Sequence, residues 1–353
     1  MIRPSHHVPR LAIAYKNFAA NKGLSHIGLG VSAMQNAKAL RAAEYIAEVW
    51  PIIGFEDLAS KLQQDRATAI NAHHNPVTHV VISAPWIPTQ SIAQLVHSYP
   101  DIEFAVVSHS NIGFLQADPR AIDLLRSGAE LAHACPNFHI GGNSDKFCTW
   151  WRAAYGSEIL LLPNMYPFAS IRHKPLWSGG LLRIGCFCAI RAYKNVLTAA
   201  AAALETGVRL RASELEFYIS GGRSEGGAGI RQAITEMYKG LLRSRVIDNN
   251  WQSWPQFVTT VGEMDLLLQP SYTEGFNMVT ADGISKGVPS VVGEAIGWVP
   301  SNWVASTDAA CDIANRAIAL LHDPGAINEG VTALIRHNTN ALSEWKSFLT
   351  LYP

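Results

Sequence analysis

The stretch Pro270-Ser271-Tyr272-Thr273-Glu274-Gly275-Phe276-Asn277-Met278-Val279-Thr280-Ala281-Asp282-Gly283-Ile284-Ser285-Lys286-Gly287-Val288-Pro289 decides the fold. Residues 264–269 before it read as a strand, residues 278–286 as a helix, and residues 290–292 as the next strand. A strand that delivers a glycine-containing loop, which in turn opens a helix, is a building unit of a parallel sheet covered by helices. Open sheets of this kind hold ligands at the carboxyl ends of their strands. Free N–H groups at a helix start suit phosphate or sugar oxygens. Glu274 sits in the loop, and Asp282 lies about five residues into the helix, roughly 7.5 Å along its axis. That offset suits two carboxylates touching different parts of one extended ligand. A plain strand–turn–helix with Glu274 as a cap is equally compatible with these residues.

Outward from this stretch the same alternation fills the chain. In the second half, residues 182–188 and 215–220 read as strands. Residues 195–206, 230–242, 308–321 and 331–349 read as helices. In the first half, residues 11–15, 78–83, 103–108, 137–140 and 158–162 read as strands, and 31–50, 91–98 and 145–155 as helices. Between the halves, Pro167, Pro175, Gly179 and Gly180 break the rhythm. The expected organisation is an α/β chain with domains at 1–166 and 182–330, a linker at 167–181, and a final helix within 331–353 that crosses back to the first domain.

A chain of 353 residues has room for two such domains, and 48% hydrophobic against 16% charged residues excludes disorder. The net charge is zero with no polybasic block, so nothing forces a nucleic-acid or anionic-membrane partner. Five cysteines without zinc-type spacing read as buried, reduced thiols. The start lacks a signal-peptide pattern, and no run reaches the roughly 18 apolar residues of a membrane span. A cytoplasmic protein is the expectation. His6-His7 and His73-His74 are adjacent pairs with no obvious third ligand, so no metal site is expected.

A second segment, Ile184-Gly185-Cys186-Phe187-Cys188-Ala189-Ile190-Arg191-Ala192-Tyr193-Lys194-Asn195, sets two cations three residues apart between a strand and a helix. A guanidinium fork and an ammonium point charge suit a diphosphate; solvated cations at a strand end are the plainer reading. Together the two segments resemble glycosyltransferase family four. Its signature runs Pro-Ser-x-x-Glu-Gly-Phe into a helix and on to Gly-Val-Pro, with two glutamates eight positions apart. Many members carry Arg-x-Tyr-Lys-Gly/Asn before the donor-domain helix. The resemblance is specific from about residue 182 to 349, and architectural in the first half.

The resemblance implies a GT-B fold, two Rossmann-like domains with a cleft between them, and a retaining, metal-independent transfer from a nucleotide-diphosphate sugar to an acceptor hydroxyl. No cofactor is implied; the nucleotide sugar is a co-substrate. It implies Glu274 on the donor sugar's hydroxyls, Arg191 and Lys194 on the diphosphate, and the amides of Gly275, Phe276 and Asn277 against sugar and phosphates. Asp282 departs from the family's second glutamate and reaches one C–C bond less, roughly 1.5 Å. Gly28 and Gly30 resemble the family's glycine-rich loop after the first strand, although a plain turn fits them equally. His109 stands where members often hold a histidine facing the donor sugar; a histidine satisfied in the core is the alternative. Gly221, beside Gly222, stands at a glycine turn near the nucleotide, with Arg223 as a further contact.

Trp86, Trp150, Trp151, Trp177, Trp298 and Trp303 offer stacking surfaces, of which one or two are expected to serve a ligand. The acceptor is read as a saccharide, a glycolipid or a hydroxylated nucleic-acid base. A non-catalytic nucleotide-sugar binding protein and a GT-B epimerase are the rival readings.

Overall fold

The structure is a computed structural model that describes residues 8–17, 27–72, 75–116, 118–168, 170–171, 174–222 and 225–351. The chain divides into two compact units, Met1–Pro167 with Asn338–Pro353, and Phe168–His337.

The first unit alternates β1 (Arg10–Lys16), α1 (Ile27–Ala42), β2 (Ile46–Ile52), α2 (Phe55–Ala72), β3 (His79–Ser83), α3 (Thr89–Ser98), β4 (Glu103–Ser108), α4 (Ile112–Leu115), α5 (Pro119–Ala134), β5 (Phe138–Gly142), α6 (Asp145–Tyr155) and β6 (Leu160–Leu161). All strand pairs are parallel, in the order β2-β1-β3-β4-β5-β6. Successive strand residues point to opposite faces. Leu11, Ile13, Val81 and Val107 therefore meet Ala33, Ala37 and Leu40 of α1 on one face. Ala12, Val80, Ile82 and Phe104 meet Leu58 of α2, Ile92 of α3 and Trp151 of α6 on the other. Both faces are dry, which is why these strands read as apolar runs rather than alternating ones.

The second unit holds β7 (Leu181–Cys186), α7 (Val196–Arg209), β8 (Glu214–Ile219), α8 (Ala228–Tyr238), β9 (Ser244–Asp248), α9 (Trp254–Glu263), β10 (Leu266–Gln269), α10 (Met278–Ser285), β11 (Ser290–Gly293), β12 (Val304–Ala305) and α11 (Ala310–His322). Its parallel sheet runs β12-β11-β10-β7-β8-β9. Ala199, Ala200, Ala202 and Ala203 of α7 are fully buried, and side chains no longer than a methyl let that helix lie close on the sheet. β7 and β10 are central neighbours, so the loops leaving their carboxyl ends lie side by side.

The last helix, α12 (Ala326–Leu349), belongs to the second unit up to His337 and to the first from Asn338. In the first unit, the Asn338 carboxamide accepts from the Tyr166 N–H at 2.9 Å and donates to its carbonyl at 3.0 Å. The Trp345 indole donates to the Pro163 carbonyl at 2.8 Å. Residues 174–181, ahead of and into β7, belong to the second unit. There the Lys174 ammonium donates to the Met264 carbonyl at 2.6 Å, and the Trp177 indole to the Leu181 carbonyl at 3.1 Å.

Two expectations need correction. Residues 31–50 are not one helix: α1 stops at Ala42, and 46–52 is a strand. Glu44 takes φ 67°, and the Tyr45 N–H donates to the Leu40 carbonyl at 3.0 Å, which closes the helix as a glycine would. With glutamate in the left-handed position, the usual stop signal is missing. Gly28 and Gly30 do not form a loop ahead of the helix; both lie in its first turn. Among the described residues no helix is long and apolar enough to cross a membrane.

Candidate donor-binding site

The loop after β10 is held by Asn277. Its carboxamide oxygen accepts from the Thr280 N–H at 2.9 Å and caps α10. Its amide donates to Glu274 Oε1 at 3.0 Å and to Gln269 Oε1 at 3.2 Å. Asn277 takes φ 67°, a conformation that asparagine tolerates better than most side chains. One buried side chain thus starts the helix and aims the loop carboxylate.

Lys194 comes to the same point from β7. A short 3₁₀ turn, Ala192–Lys194, ends in Asn195 at φ 54°, whose amide donates to the Thr307 carbonyl at 2.7 Å. The turn is tied to the other loop by the Tyr272 N–H, which donates to the Tyr193 carbonyl at 2.9 Å. The Lys194 ammonium then forms an ion pair with Glu274. Arg191, three residues earlier, pairs through Nε with Glu225 Oε2 at 2.6 Å. Glu225 in turn donates its N–H to the Ile190 carbonyl at 3.0 Å, so the loop after β8 folds back over the end of β7.

Gly221 starts that loop. Its N–H donates to Asp248 Oδ1 at 2.8 Å, and any Cβ there would collide with the same carboxylate. Asp248 is also paired with Arg231. Gly227 presses against the Ile190 carbonyl in the same way. The glycines at 221 and 227 are required by close approach.

The Phe276 ring is core, 2% exposed and stacked on Trp298 at 5.0 Å and 18°. The Trp298 indole donates to the Phe276 carbonyl at 2.5 Å, so ring and carbonyl are both engaged within the unit. Asp282 is 1% exposed and accepts from the Trp254 indole at 3.1 Å. It sits on the inner face of α10.

The second unit therefore assembles Arg191, Lys194, Gly221, Glu274, Gly275, Phe276, Asn277 and Asp282 around the carboxyl ends of β7, β8 and β10. His109, Gly28 and Gly30 belong to the first unit. Burial pushes the His109 imidazole down to about 4, so it is neutral at pH 7; the Asn143 amide lies 3.4 Å from its Nδ1. A Cβ on Gly30 would stand 3.1 Å from the Tyr15 ring, so the α1 turn packs closely on the end of β1. Arg223, His6, His7, His73 and His74 lie outside the described residues. Among the described residues no group of three metal-ligating side chains forms. Trp151 and Trp303 are fully buried and serve packing rather than stacking on a ligand. Sequence reasoning missed Gln269, Glu225, Asp248 and Trp254. Only Asp248, an acid after Val246-Ile247 and directly before Asn249-Asn250, leaves a readable trace.

Residues 178–301 match the model of a family described as Family 4 Glycosyltransferase in conflict systems. The matched span runs from β7 past β11 and contains Arg191, Lys194, Gly221, Glu274, Gly275, Phe276, Asn277 and Asp282. No curated protein matches the sequence. Solved structures show the fold. Staphylococcus aureus TarM, in complex with fondaparinux, alpha-GlcNAc-glycerol and UDP, is similar with TM-score 0.57 and 14% identity, over 76% of this chain and 55% of TarM. The chain thus spans about half of TarM's length. Sucrose-phosphate synthase from Thermosynechococcus elongatus gives TM-score 0.59 and 14% identity over 97% of both chains. The UDP-forming trehalose-phosphate synthase of Burkholderia xenovorans gives 0.59 and 11%, over 98% of this chain and 99% of that one. The neighbours show the GT-B fold, and the family model that matches residues 178–301 is one of glycosyltransferases.

Proposed function

We propose that the chain transfers a glycosyl group from a nucleotide-diphosphate sugar to an acceptor hydroxyl, with retention and without a catalytic metal. The observation that carries this is the cluster of Lys194, Glu274 and Asn277, built where two parallel strands end and a helix begins. A diphosphate arriving there meets Lys194 and Arg191, each now paired with a carboxylate that it can replace as counter-ion. Released from Lys194, Glu274 keeps the Asn277 amide and accepts from sugar hydroxyls. The N–H groups of Gly275, Phe276 and Asn277 lie at the head of α10, where they suit anionic oxygen.

Chemistry then follows from charge. The C1–O bond to the diphosphate breaks, and its electron pair goes to the phosphate oxygen. The acceptor oxygen bonds to C1 on the same face, and its proton passes to the departing phosphate. Arg191 and Lys194 stabilise the negative charge that develops on the leaving group, the work a divalent cation would otherwise do. Neutral His109 offers a hydrogen bond, not a charge, and is proposed to face the donor sugar; Gly28 and Gly30 are proposed to lie near the phosphates. The acceptor is proposed to be a saccharide, a glycolipid or a hydroxylated nucleic-acid base, and the compartment the cytoplasm. Because TarM was captured with UDP, uridine diphosphate and its sugars are the first ligands to try.

A thermal-shift panel of nucleoside diphosphates and nucleotide sugars tests the site. A ligand that binds only the folded state raises the melting temperature with its affinity. One base should stabilise the wild type, with the shift abolished in Arg191→Ala and reduced for the sugar nucleotide, but not the free diphosphate, in Glu274→Ala. No shift with any nucleotide would overturn the reading.

A further inference from the structure

The transfer reaction leaves the amino end of the second sheet without a role. Two connections meet there. α7 runs through Val208-Arg209-Leu210-Arg211 toward β8, and α8 runs through Lys239-Gly240-Leu241-Leu242-Arg243 into β9. β8 and β9 pair from Leu215 and Ser244 onward, and the Leu215 N–H donates to the Arg243 carbonyl at 2.8 Å. A Cβ on Gly207 would stand 3.3 Å from the Leu215 side chain, so the residue before Val208 touches the same strand. The two tips are therefore neighbours in space, although far apart in sequence.

Among the described residues, Leu242 and Val208 are the most exposed large apolar side chains, at 101% and 75%, and Leu241 is exposed beside them. A single exposed leucine needs no explanation, but three such side chains on adjoining loops make a patch. Every charged residue of the two tips is a cation: Arg209, Arg211, Lys239 and Arg243. Glu205 and Glu236, one turn back on their helices, pair with Arg209 at 3.2 Å and with Lys239 at 3.1 Å. Exposed pairs of this kind are weak, so both cations can change partner. Arg211 closes α7 in the left-handed conformation, at φ 52°. Its N–H donates to the Val208 carbonyl at 3.1 Å, and the Ala212 N–H donates to the Gly207 carbonyl at 3.0 Å. Glycine suits that place, so an arginine there is held at a cost in stability. Gly240, at φ 79°, turns the chain ahead of the two leucines.

We propose that these two tips dock the second unit on a membrane surface rich in anionic lipid. Leu241, Leu242 and Val208 enter the headgroup boundary, and the four cations meet the lipid anions. Cations alone would suit any polyanion; the leucines select lipid. A leucine whose whole surface lies in water stands on a convex tip. A lipid layer parts to admit such a tip, whereas a protein partner would need a matching pocket. Docking of this kind needs no membrane-spanning helix, and none is found among the described residues. The donor-site residues lie at the carboxyl ends of the same sheet. β8 spans Glu214–Ile219, so roughly 20 Å separates the two regions, and a docked unit keeps its donor site clear of the lipid. Docking is thus independent of nucleotide binding.

The full chain is floated with phosphatidylcholine vesicles, with and without phosphatidylserine. Wild type should rise with the mixed vesicles, rise less with phosphatidylcholine alone, and lose binding as salt screens the exposed charges. Leu242→Ser should lower the vesicle affinity about tenfold. Arg243→Gln should lower it about fivefold. Arg211→Gly should also lower it about fivefold while melting no lower than wild type, since glycine suits φ 52°. Leu242→Ser should melt with wild type, because a side chain exposed to 101% has no packing to lose. A wild type that stays off the anionic vesicles overturns the proposal. So does binding that Leu242→Ser leaves intact, which would mean charge alone, as for a nucleic acid. Self-association without lipid that Leu242→Ser abolishes, read by sedimentation, would give the tips to a second copy of this chain and overturns it as well.

Discussion

Asn277 does two jobs that one substitution merges and another separates. Asn277→Ala removes the cap on Thr280, costing about 1 kcal/mol. It also forces a Cβ residue without asparagine's local hydrogen bonding into φ 67°, which costs about 1 kcal/mol more. The sum is about 2 kcal/mol, or a melting temperature lower by roughly 4–8 °C for a unit of this size. Asn277→Gly accepts the positive φ freely, and a glycine in place of an asparagine cap costs only a few tenths of a kcal/mol. Its melting temperature should stay within about 2 °C of wild type. Yet both variants strip Glu274 of the amide held at 3.0 Å. A hydrogen bond to a charged group is worth about 1.5–3 kcal/mol, so sugar-nucleotide affinity should fall about tenfold or more in each. Differential scanning calorimetry and titration calorimetry with the ligand from the nucleotide panel give both readouts. If Asn277→Gly is as unstable as Asn277→Ala, handedness is not what selects asparagine. If Asn277→Gly binds like wild type, the carboxamide does not aim Glu274.

Three further outcomes follow from packing and charge. His79 is 0% exposed, and burial lowers it from 6.5 to about 4. Below pH 6.5 the unfolded chain takes up a proton the folded one refuses, so this stability, full above pH 6.5, is lost as pH falls toward 4. It amounts to about 2 kcal/mol between pH 7 and pH 5. Urea unfolding should therefore show a shallower acid slope in His79→Leu than in wild type, and identical slopes would refute it. Trp254→Phe takes the indole donor from buried Asp282 and should cost about 1–3 kcal/mol, read in the same unfolding assay; no loss would mean Asp282 is satisfied elsewhere. Gly330→Ala would normally favour a helix by about 1 kcal/mol. Here the new methyl would sit 2.6 Å from Trp303 Cη2 in a fully buried ring, so a net loss of stability is expected, and a higher melting temperature would contradict the packing.

The sheets were legible wherever strands are buried on both faces. β3, β4 and β10 are apolar through their middles, and β7 is interrupted by Arg183 alone among charged residues; each is expected within two residues of its place. β9 was not expected, because it is an edge strand of Ser-Arg-Val-Ile-Asp with only partial burial, and edges carry no strong pattern. β2 was hidden by Glu44, which ends α1 without a glycine. α5 and α9 were missed although Asp118-Pro119 and Ser253 with Gln256 supply ordinary helix starts. Those signals were present and unread.

The site was legible as residue types at a spacing, since motif positions are local in sequence. Its bonds were not, since they join distant residues: Lys194 to Glu274, Arg191 to Glu225, Gly221 to Asp248. Asp282 shows why that matters. Read alone, it is a shortened glutamate that loses reach. In place, the shorter arm keeps the carboxylate beneath the surface, and Trp254, at the first position of α9, supplies an indole donor to meet it. A glutamate there would have to displace that indole or extend past it toward solvent. The substitution and the tryptophan therefore depend on each other, and restoring the family's residue by Asp282→Glu alone should destabilise the second unit rather than improve donor binding. If Asp282→Glu tightens the sugar nucleotide with no loss of stability, the tryptophan is incidental and the aspartate is a plain loss of reach.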